Sequence, residues 1–244
     1  MAMHVIAGSV AENVEAVRQR IAAAAERAGR DPAAVRLVAA TKTFPVERIA
    51  EALRAGVTDI GENRVQEATS KQAELRGGMR WHLIGHLQTN KAGRAAALFD
   101  VVQSVDGERV ARALAARRPE AMDDLEVLIE VELTGLAGHT GVVPDGLASL
   151  ASVVSRMPRL RLRGVMTMAP PVSDPEAARP AFARLRRLRD EAEQRSGVAL
   201  PELSMGMSDD FEVAVEEGST LVRVGRAIFG RRDEPGRETE ARSG

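Results

Sequence analysis

The 244 residues carry a formal net charge of −1 and include neither cysteine nor tyrosine. This charge gives no electrostatic reason to expect a nucleic acid or an anionic membrane as a partner, and the lack of cysteine excludes disulfides, thiolate metal sites and a cysteine nucleophile. No apolar run approaches the ~20 residues that span a bilayer and no secretory signal begins the chain, so we expect a cytoplasmic protein.

Short β-branched apolar runs alternate along the chain with longer amphipathic stretches, which predicts βα units around a parallel sheet. A helix over residues 10–27 comes first. The eight predicted strands that follow it are residues 35–41, 59–61, 82–86, 101–105, 126–133, 161–168, 202–204 and 221–225. The predicted helices between them include residues 46–55, 65–75, 107–117, 175–195 and 209–217.

Eight alternating units in a chain of this length are the usual content of a TIM-type barrel. We therefore predict an α/β fold, a single (β/α)8 barrel over residues 1–230 that includes the N-terminal helix, followed by a flexible tail over residues 231–244. Because no helix is expected after the last strand, the N-terminal helix would cover that gap. A doubly wound open sheet is the alternative, but no G-x-G-x-x-G turn follows the first strand.

Lys42 closes the first predicted strand, at the end of a barrel where functional side chains gather. Burial of an ammonium group lowers its pKa and makes the amine a nucleophile towards aldehydes. A lysine that reaches water from the strand end is the plainer explanation. Only two other lysines, Lys71 and Lys91, occur in the sequence.

The loops after the last two predicted strands have features of a phosphate site. Ser208 is a predicted N-cap of the helix that follows it, and Gly206 would let the backbone approach an anion closely. Gly225 and Arg226, at the end of the last strand, offer backbone N–H groups and a guanidinium. An ordinary helix cap and a glycine turn are the alternative, but barrels often bind phosphate with these two loops, which favours the phosphate site.

Arg223 lies within the last predicted strand, where alternation places its side chain on the opposite face from Val222 and Val224. An arginine inside a barrel needs a partner. An acceptor on a bound ligand is one such partner, and a buried carboxylate is the other.

Seven short motifs, in order from the first strand to the last, resemble those of the pyridoxal phosphate homeostasis proteins. Each motif is weak by itself, but the ordered set spans nearly the whole chain from the first strand onwards. The motifs are Ala-Thr-Lys-Thr at 40–43, Gly-Glu-Asn-Arg-Val-Gln-Glu at 61–67, the run 81–91, Gln-Ser-Val-Asp at 103–106, the run 164–170, Leu-Ser-Met-Gly-Met-Ser at 203–208 and the run 218–230.

The resemblance implies an alanine-racemase-like barrel, of the type called fold type III, that carries pyridoxal 5′-phosphate (PLP) as a Schiff base on Lys42. It also implies that Ser208, Gly225 and Arg226 surround the phosphate and that Arg223 lies at the pyridine nitrogen. Three more residues match family positions near the cofactor: Asn63, His86 and Met205. For His86, a hydrogen-bonded histidine at the rim explains the position equally well.

This sequence departs from the family pattern at four positions. Phe44 stands where many members have a second lysine and His139 stands where a lysine is frequent, which argues against a secondary lysine-based cofactor site. Arg64 replaces a common tyrosine. Arg226 stands where threonine is usual, and it either strengthens phosphate binding or points away and leaves only the backbone.

The resemblance further implies a cofactor carrier rather than a racemase. Racemases with this barrel use the cofactor lysine and a tyrosine from a second domain of a partner subunit, whereas this chain has no tyrosine and ends soon after the eighth strand. A protonated Arg223 would keep the pyridine nitrogen unprotonated and the ring a poor electron sink. We expect a monomeric, metal-free protein of PLP homeostasis that stores the cofactor or delivers it to apo-enzymes.

The sequence is also compatible with three other functions. A slow one-base PLP enzyme would use His86 or His139 on the open face. A Schiff-base aldolase would use Lys42 without cofactor, and the phosphate loops would hold a sugar phosphate. An interaction protein that only retains the barrel is the third, although two anion loops argue against it.

Overall fold

The parallel strands close into a barrel. A computed structural model describes residues 8–135, 140–170 and 172–230, and the predicted tail and His139 lie outside them. The strands follow one another in chain order and β8 pairs with β1, which confirms the (β/α)8 barrel and excludes the doubly wound sheet. The strands are β1 (Arg36–Ala40), β2 (Asp59–Glu62), β3 (Arg80–Leu83), β4 (Val101–Val105), β5 (Leu125–Glu130), β6 (Leu160–Met166), β7 (Glu202–Ser204) and β8 (Leu221–Val224).

Helices form the outer layer of the barrel. They are α1 (Val10–Arg27), α2 (Val46–Arg54), α3 (Val65–Glu74), α4 (Ala92–Leu98), α5 (Glu108–Ala115), α6 (Leu147–Val154), α7 (Arg179–Ser196), α8 (Phe211–Glu216) and α9 (Arg226–Phe229). The sequence analysis did not single out α4 or α6, because α4 is short and rich in alanine and α6 is apolar on nearly every face, so neither shows a helical period. No helix in the described part of the chain is both long and apolar enough to cross a membrane.

The N-terminal helix α1 fills a place in the helical layer. Its first turn is a capping box, in which the Glu12 N–H donates to the Ser9 hydroxyl (3.3 Å) and the Ser9 N–H donates to the Glu12 carboxylate (2.7 Å). Its buried face packs against α2, α8 and α9. The prediction that no helix follows the last strand is wrong, since α9 follows β8. However, α9 is a single turn, so α1 still covers most of the gap.

The barrel interior changes character along its axis. At the N-terminal end, ion pairs join strands that are next but one in the barrel, β1 to β7 through Arg36 and Glu202 (2.6 Å) and β3 to β5 through Arg80 and Glu126 (2.7 Å). An apolar layer follows, formed by Val38, Val101, Leu128, Met166 and Leu221. Beyond it, at the C-terminal end, the inward side chains become polar again.

Several strands end earlier than the sequence predicts. β3 begins at Arg80 and ends at Leu83, so His86 lies three residues beyond the strand, in a loop. β5 ends at Glu130 and β6 at Met166, whereas apolar residues continue to Leu133 and Met168. Backbone pairing continues only briefly past these ends: the Val131 N–H donates to the Met166 carbonyl (2.8 Å) and the Thr167 N–H donates to the Ser204 carbonyl (3.1 Å), whereas Met168 is exposed.

At Gly164 the backbones of β6 and β7 lie too close together to admit a side chain. A Cβ atom there would lie 2.0 Å from the Glu202 carbonyl oxygen and 2.7 Å from its carbon, so the two strands would have to separate. We expect Gly164→Ala to lower the free energy of unfolding by about 3 kcal/mol, measured by urea denaturation. In the control Gly78→Ala the new Cβ meets nothing within 4 Å, and a change below about 0.5 kcal/mol is expected. Equal effects of the two variants would contradict this close contact.

Candidate functional site

The carboxyl ends of all eight strands meet at one end of the barrel, and every predicted site residue lies there. In a parallel barrel this end gathers the residues that follow each strand. Arg223 and Met205 are buried, Lys42 and Asn63 are partly buried, and His86 is exposed. The set follows or ends five different strands: Lys42 after β1, Asn63 after β2, His86 after β3, Met205 and Ser208 after β7, and Arg223, Gly225 and Arg226 within or after β8.

Lys42 lies in a tight turn over residues 41–44. The Phe44 N–H donates to the Thr41 carbonyl (3.1 Å), which closes the turn. Thr43 has a φ of 69°, in the left-handed region that residues with a side chain rarely adopt. A carboxylate oxygen of Glu67, on α3, accepts the Thr43 N–H (2.5 Å). The backbone that carries Lys42 is therefore held by α3.

The Lys71 side chain is hydrogen-bonded to the same turn. Its ammonium donates to the Thr41 carbonyl, to Glu62 and to Glu67, each at 2.7 Å, so all three of its hydrogens have acceptors. Burial raises the pKa of Glu62, and the hydrogen bond from Lys71 opposes that rise. Lys71 is thus committed to the fold rather than to an aldehyde. This role was not predictable from the sequence, because the partners come from the turn after β1, from β2 and from α3.

Arg223 is buried without a carboxylate partner. Its Nη1 donates to the Ser204 hydroxyl (2.5 Å) and its Nη2 donates to the Thr167 carbonyl (2.9 Å). Across the described ranges, no carboxylate forms an ion pair with it. Burial lowers the pKa of Arg223 to about 10, opposed by the charges of Asp210 and Glu130. The guanidinium therefore remains protonated at neutral pH and has only neutral oxygens as direct partners.

Hydrogen bonds continue from Arg223 across the barrel through residues that the sequence analysis did not identify. The Ser204 hydroxyl donates to Gln103 Oε1 (2.6 Å), and Gln103 Nε2 lies 2.9 Å from His82 Nδ1. His82 Nε2 lies 2.9 Å from Asp59 Oδ1. We call Arg223, Ser204, Gln103, His82 and Asp59 the interior chain. Its only sequence signal is polar residues at inward positions of short buried strands.

Ser208 joins the loops after β7 and β8. Its hydroxyl accepts the N–H groups of Gly225 and Ala227, both at 3.2 Å. The prediction that Ser208 is the N-cap of α8 is wrong, because that helix begins at Phe211 with Asp210 as its N-cap. The physical reason is that the hydroxyl faces the neighbouring loop, where two backbone donors converge on it.

Glycines allow this close approach of the loops. Gly206 has a φ of 94°, and a Cβ there would lie 2.6 Å from the Ala214 side chain. A Cβ at Gly225 would lie 3.0 Å from the Ala40 carbonyl oxygen at the end of β1. Gly206 thereby lets the loop after β7 pack against α8, and Gly225 lets the loop after β8 approach the end of β1, close to Lys42.

The side chains of Arg226 and Phe44 have partners within the protein. The Arg226 guanidinium forms an ion pair with the exposed Asp209, so it bridges the two loops from the solvent side. Phe44 is buried against Phe229 of α9, with ring centroids 4.8 Å apart and an interplanar angle of 34°. Phe44 therefore packs the turn of Lys42 against the segment that follows β8.

His86 and Asn63 occupy the rim loops after β3 and β2. His86 Nδ1 lies 3.4 Å from an Asp106 carboxylate oxygen, and the imidazole is about half exposed. A Cβ at Gly85 would lie 2.5 Å from the Asn63 carbonyl oxygen, so the two loops touch through their backbones. The arrangement leaves His86 as a rim histidine with a carboxylate neighbour.

Comparisons with known proteins agree with this geometry. The family described as alanine racemase, N-terminal domain matches residues 13–233. The pyridoxal phosphate homeostasis protein of Pseudomonas aeruginosa is 45% identical over 92% of this chain and 96% of its own length. The structure of PipY from Synechococcus elongatus with PLP bound is 35% identical, with a TM-score of 0.79 over 91% of this chain and 100% of that one.

A more distant likeness concerns the fold alone. Alanine racemase from Corynebacterium glutamicum is 19% identical, with a TM-score of 0.65. The match covers 92% of this chain but 64% of that racemase. The same barrel therefore occurs within a larger enzyme.

Removing Lys71 should destabilise the turn that carries Lys42. Lys71→Met would leave the Glu62 carboxylate buried with no cation beside it, and we expect the free energy of unfolding to fall by about 3–5 kcal/mol. The double variant Lys71→Met/Glu62→Gln should recover part of this loss, because it also removes the buried charge. Urea denaturation measures both. A double variant less stable than the single one would contradict the charge argument.

His82 should make stability depend on pH. Burial lowers the pKa of His82, and the nearby Asp59 only partly opposes this, so the folded protein keeps the imidazole neutral. Below about pH 6.5 the unfolded chain takes up a proton at this histidine and the folded one does not. We therefore expect His82 to remove up to ~1.4 kcal/mol of stability per unit fall in pH in that range.

The measurement is urea denaturation at a series of pH values from about 7.5 to 5. His82→Asn should lose this part of the slope. The matched control, His86→Asn, removes an exposed rim histidine and should keep it. The same slope in wild type and His82→Asn would show that the folded protein protonates the buried imidazole.

Proposed function

Because the chain belongs to the family of pyridoxal phosphate homeostasis proteins, we propose that it binds PLP at the C-terminal end of its barrel as a Schiff base on Lys42. The observation that carries this proposal is the buried, protonated Arg223 without a carboxylate partner. A pyridine nitrogen is an acceptor that such a guanidinium can serve without burying a second charge. The ring end of the cofactor would therefore face Arg223.

The other end of the cofactor is a phosphate, and the residues around Ser208 suit it. Backbone N–H groups of Gly225 and Ala227 already converge on the Ser208 hydroxyl, so a cluster of donors exists at the loops after β7 and β8. Backbone N–H groups and hydroxyls are the usual partners of phosphate oxygens. The Arg226 guanidinium would add long-range attraction, since its direct partner is Asp209. Met205 and Asn63 would line the space between these ends.

Lys42 is the lysine that suits the Schiff base. Lys71 is buried with three acceptors, and Lys91 lies in the helical layer, directly before α4. When bound, PLP supplies an aldehyde that forms a reversible Schiff base with an amine. The turn over residues 41–44, held by Lys71 and by the Phe44–Phe229 contact, would keep the Lys42 backbone in one place during loading and release.

The proposed role is storage or delivery of PLP without racemase activity. The sequence contains no tyrosine, so the second base of the related racemases is absent. Arg223, protonated at neutral pH, would donate to the ring nitrogen rather than protonate it, which weakens the ring as an electron sink. We place this role in a monomer in the cytoplasm, with apo PLP-dependent enzymes as transient acceptors; the lack of cysteine fits a reducing compartment.

A one-base PLP enzyme is the second candidate, and His86 is the observation that favours it. The imidazole lies at the open rim beside Asp106, where it could exchange protons with solvent. The cofactor-free aldolase is disfavoured, because the relatives are named for PLP and the PipY structure contains it.

The attachment of PLP is tested by spectroscopy on Lys42→Ala. We expect wild-type protein to show a visible absorption band that borohydride bleaches, and the reduced protein to carry the pyridoxyl group on the peptide that contains Lys42. Lys42→Ala should lack both, because its barrel offers no other suitable amine. The matched control Lys91→Ala should keep both. A band that survives in Lys42→Ala and disappears in Lys91→Ala would overturn the assignment.

The carrier role is tested on the same loaded protein. With an amino acid in deuterated water, exchange at Cα should not exceed that of free PLP, whereas an apo-enzyme should gain activity as the visible band of the carrier decreases. Exchange well above free PLP that is lost in His86→Ala would favour the one-base enzyme.

A further inference from the structure

The interior chain joins the proposed ring end of the cofactor to the opposite wall of the barrel. Arg223 lies on β8, Ser204 on β7, Gln103 on β4, His82 on β3 and Asp59 on β2. Hydrogen bonds of 2.5, 2.6, 2.9 and 2.9 Å link them in that order. All five residues are at most 5% exposed, so water does not compete for their bonds.

The donors and acceptors allow one arrangement of hydrogens. A guanidinium has only donors, so the Ser204 oxygen must accept from Arg223 and give its own hydrogen to Gln103 Oε1. The Gln103 amide then presents Nε2 as a donor to His82 Nδ1. The imidazole consequently carries its hydrogen on Nε2 and donates to the Asp59 carboxylate. Each side chain thus determines the orientation of the next.

The side-chain hydrogen bonds of Gln103 and His82 are all made to other members of the interior chain. In the described part of the protein the Gln103 side chain bonds only to Ser204 and His82, and the His82 side chain only to Gln103 and Asp59. Side chains that only filled the barrel could be apolar, as the neighbouring layer of Val101 and Leu128 is. A buried polar network that is fully satisfied instead rigidifies its members and selects one arrangement.

We propose that Gln103 and His82 are positioning residues of the PLP site, which hold Arg223 against the pyridine nitrogen through the Ser204 hydroxyl. They do not touch the cofactor themselves. Without Gln103, nothing accepts the Ser204 hydrogen, so the hydroxyl that accepts from Nη1 is no longer held in one orientation and the Thr167 carbonyl is the remaining fixed partner of the guanidinium. This inference rests on the proposed function, because it assigns a role within the same site.

The test is Gln103→Met, which keeps the side-chain length and removes both hydrogen bonds. In PLP-loaded protein we expect the rate of PLP release to apo-enzyme to rise about three- to tenfold, the effect of one or two lost hydrogen bonds. We also expect the emission of the borohydride-reduced pyridoxyl group to shift, because the reduced cofactor cannot leave and reports its ring environment.

Val101→Ala is the matched control. Val101 lies on the same strand and also faces the interior beside His82, so Val101→Ala destabilises the barrel without removing a hydrogen bond of the interior chain, and it should leave release rate and emission unchanged. Ser204→Ala removes the link to Arg223 with a smaller change, and the same rise in release is expected if Gln103→Met does not fold.

The outcomes separate this inference from the proposed function. Wild-type protein that holds no PLP on Lys42 would overturn the proposed function and this inference with it. Wild-type protein that holds PLP, with Gln103→Met and Ser204→Ala indistinguishable from Val101→Ala in release and emission, would overturn the inference alone.

Discussion

A single buried charge determines how the side chains inside this barrel are hydrogen-bonded towards its C-terminal end. The Arg223 guanidinium is 4% exposed and has a hydroxyl and a carbonyl as its direct partners. Burying a cation in that position costs free energy unless dipoles are arranged around it. The side chains of β2, β3, β4 and β7 provide that arrangement. Asp210 and Glu130 contribute through their charges at longer range. In the proposed site the pyridine nitrogen of the cofactor would be a further neutral acceptor for this guanidinium.

A second set of contacts holds the loops around this charge. Lys71 ties the turn of Lys42 to β2 and α3, whereas Phe44 ties the same turn to α9 through Phe229. Ser208 connects the loops after β7 and β8 by accepting from backbone donors of the second. The residues proposed for the aldehyde and those proposed for the phosphate are thus connected by direct contacts, although they come from opposite ends of the sequence.

These features favour holding a cofactor over using it. Carbanion chemistry on PLP benefits from a protonated ring nitrogen and from acids and bases on both faces of the substrate. In the proposed site a guanidinium would lie at this nitrogen, the sequence contains no tyrosine, and the exposed rim histidine lies beside a carboxylate. The related racemase shares the barrel and extends well beyond it. Barrels in general serve different functions through the residues at their rims.

The sequence by itself determined the number of strands, the barrel and the placement of Lys42, Ser208 and Arg223 at one end, because periods of two and 3.6 residues are local properties of the chain. It did not determine where the side chains find partners. Gln103 and Ser204 are 101 residues apart, and Lys71 meets Thr41 across 30 residues. Such contacts depend on the register of the strands and on the closure of the barrel, which no local pattern encodes. For the same reason only the tertiary structure could show that Ser208 serves the neighbouring loop instead of its own helix, and that Arg226 reaches Asp209.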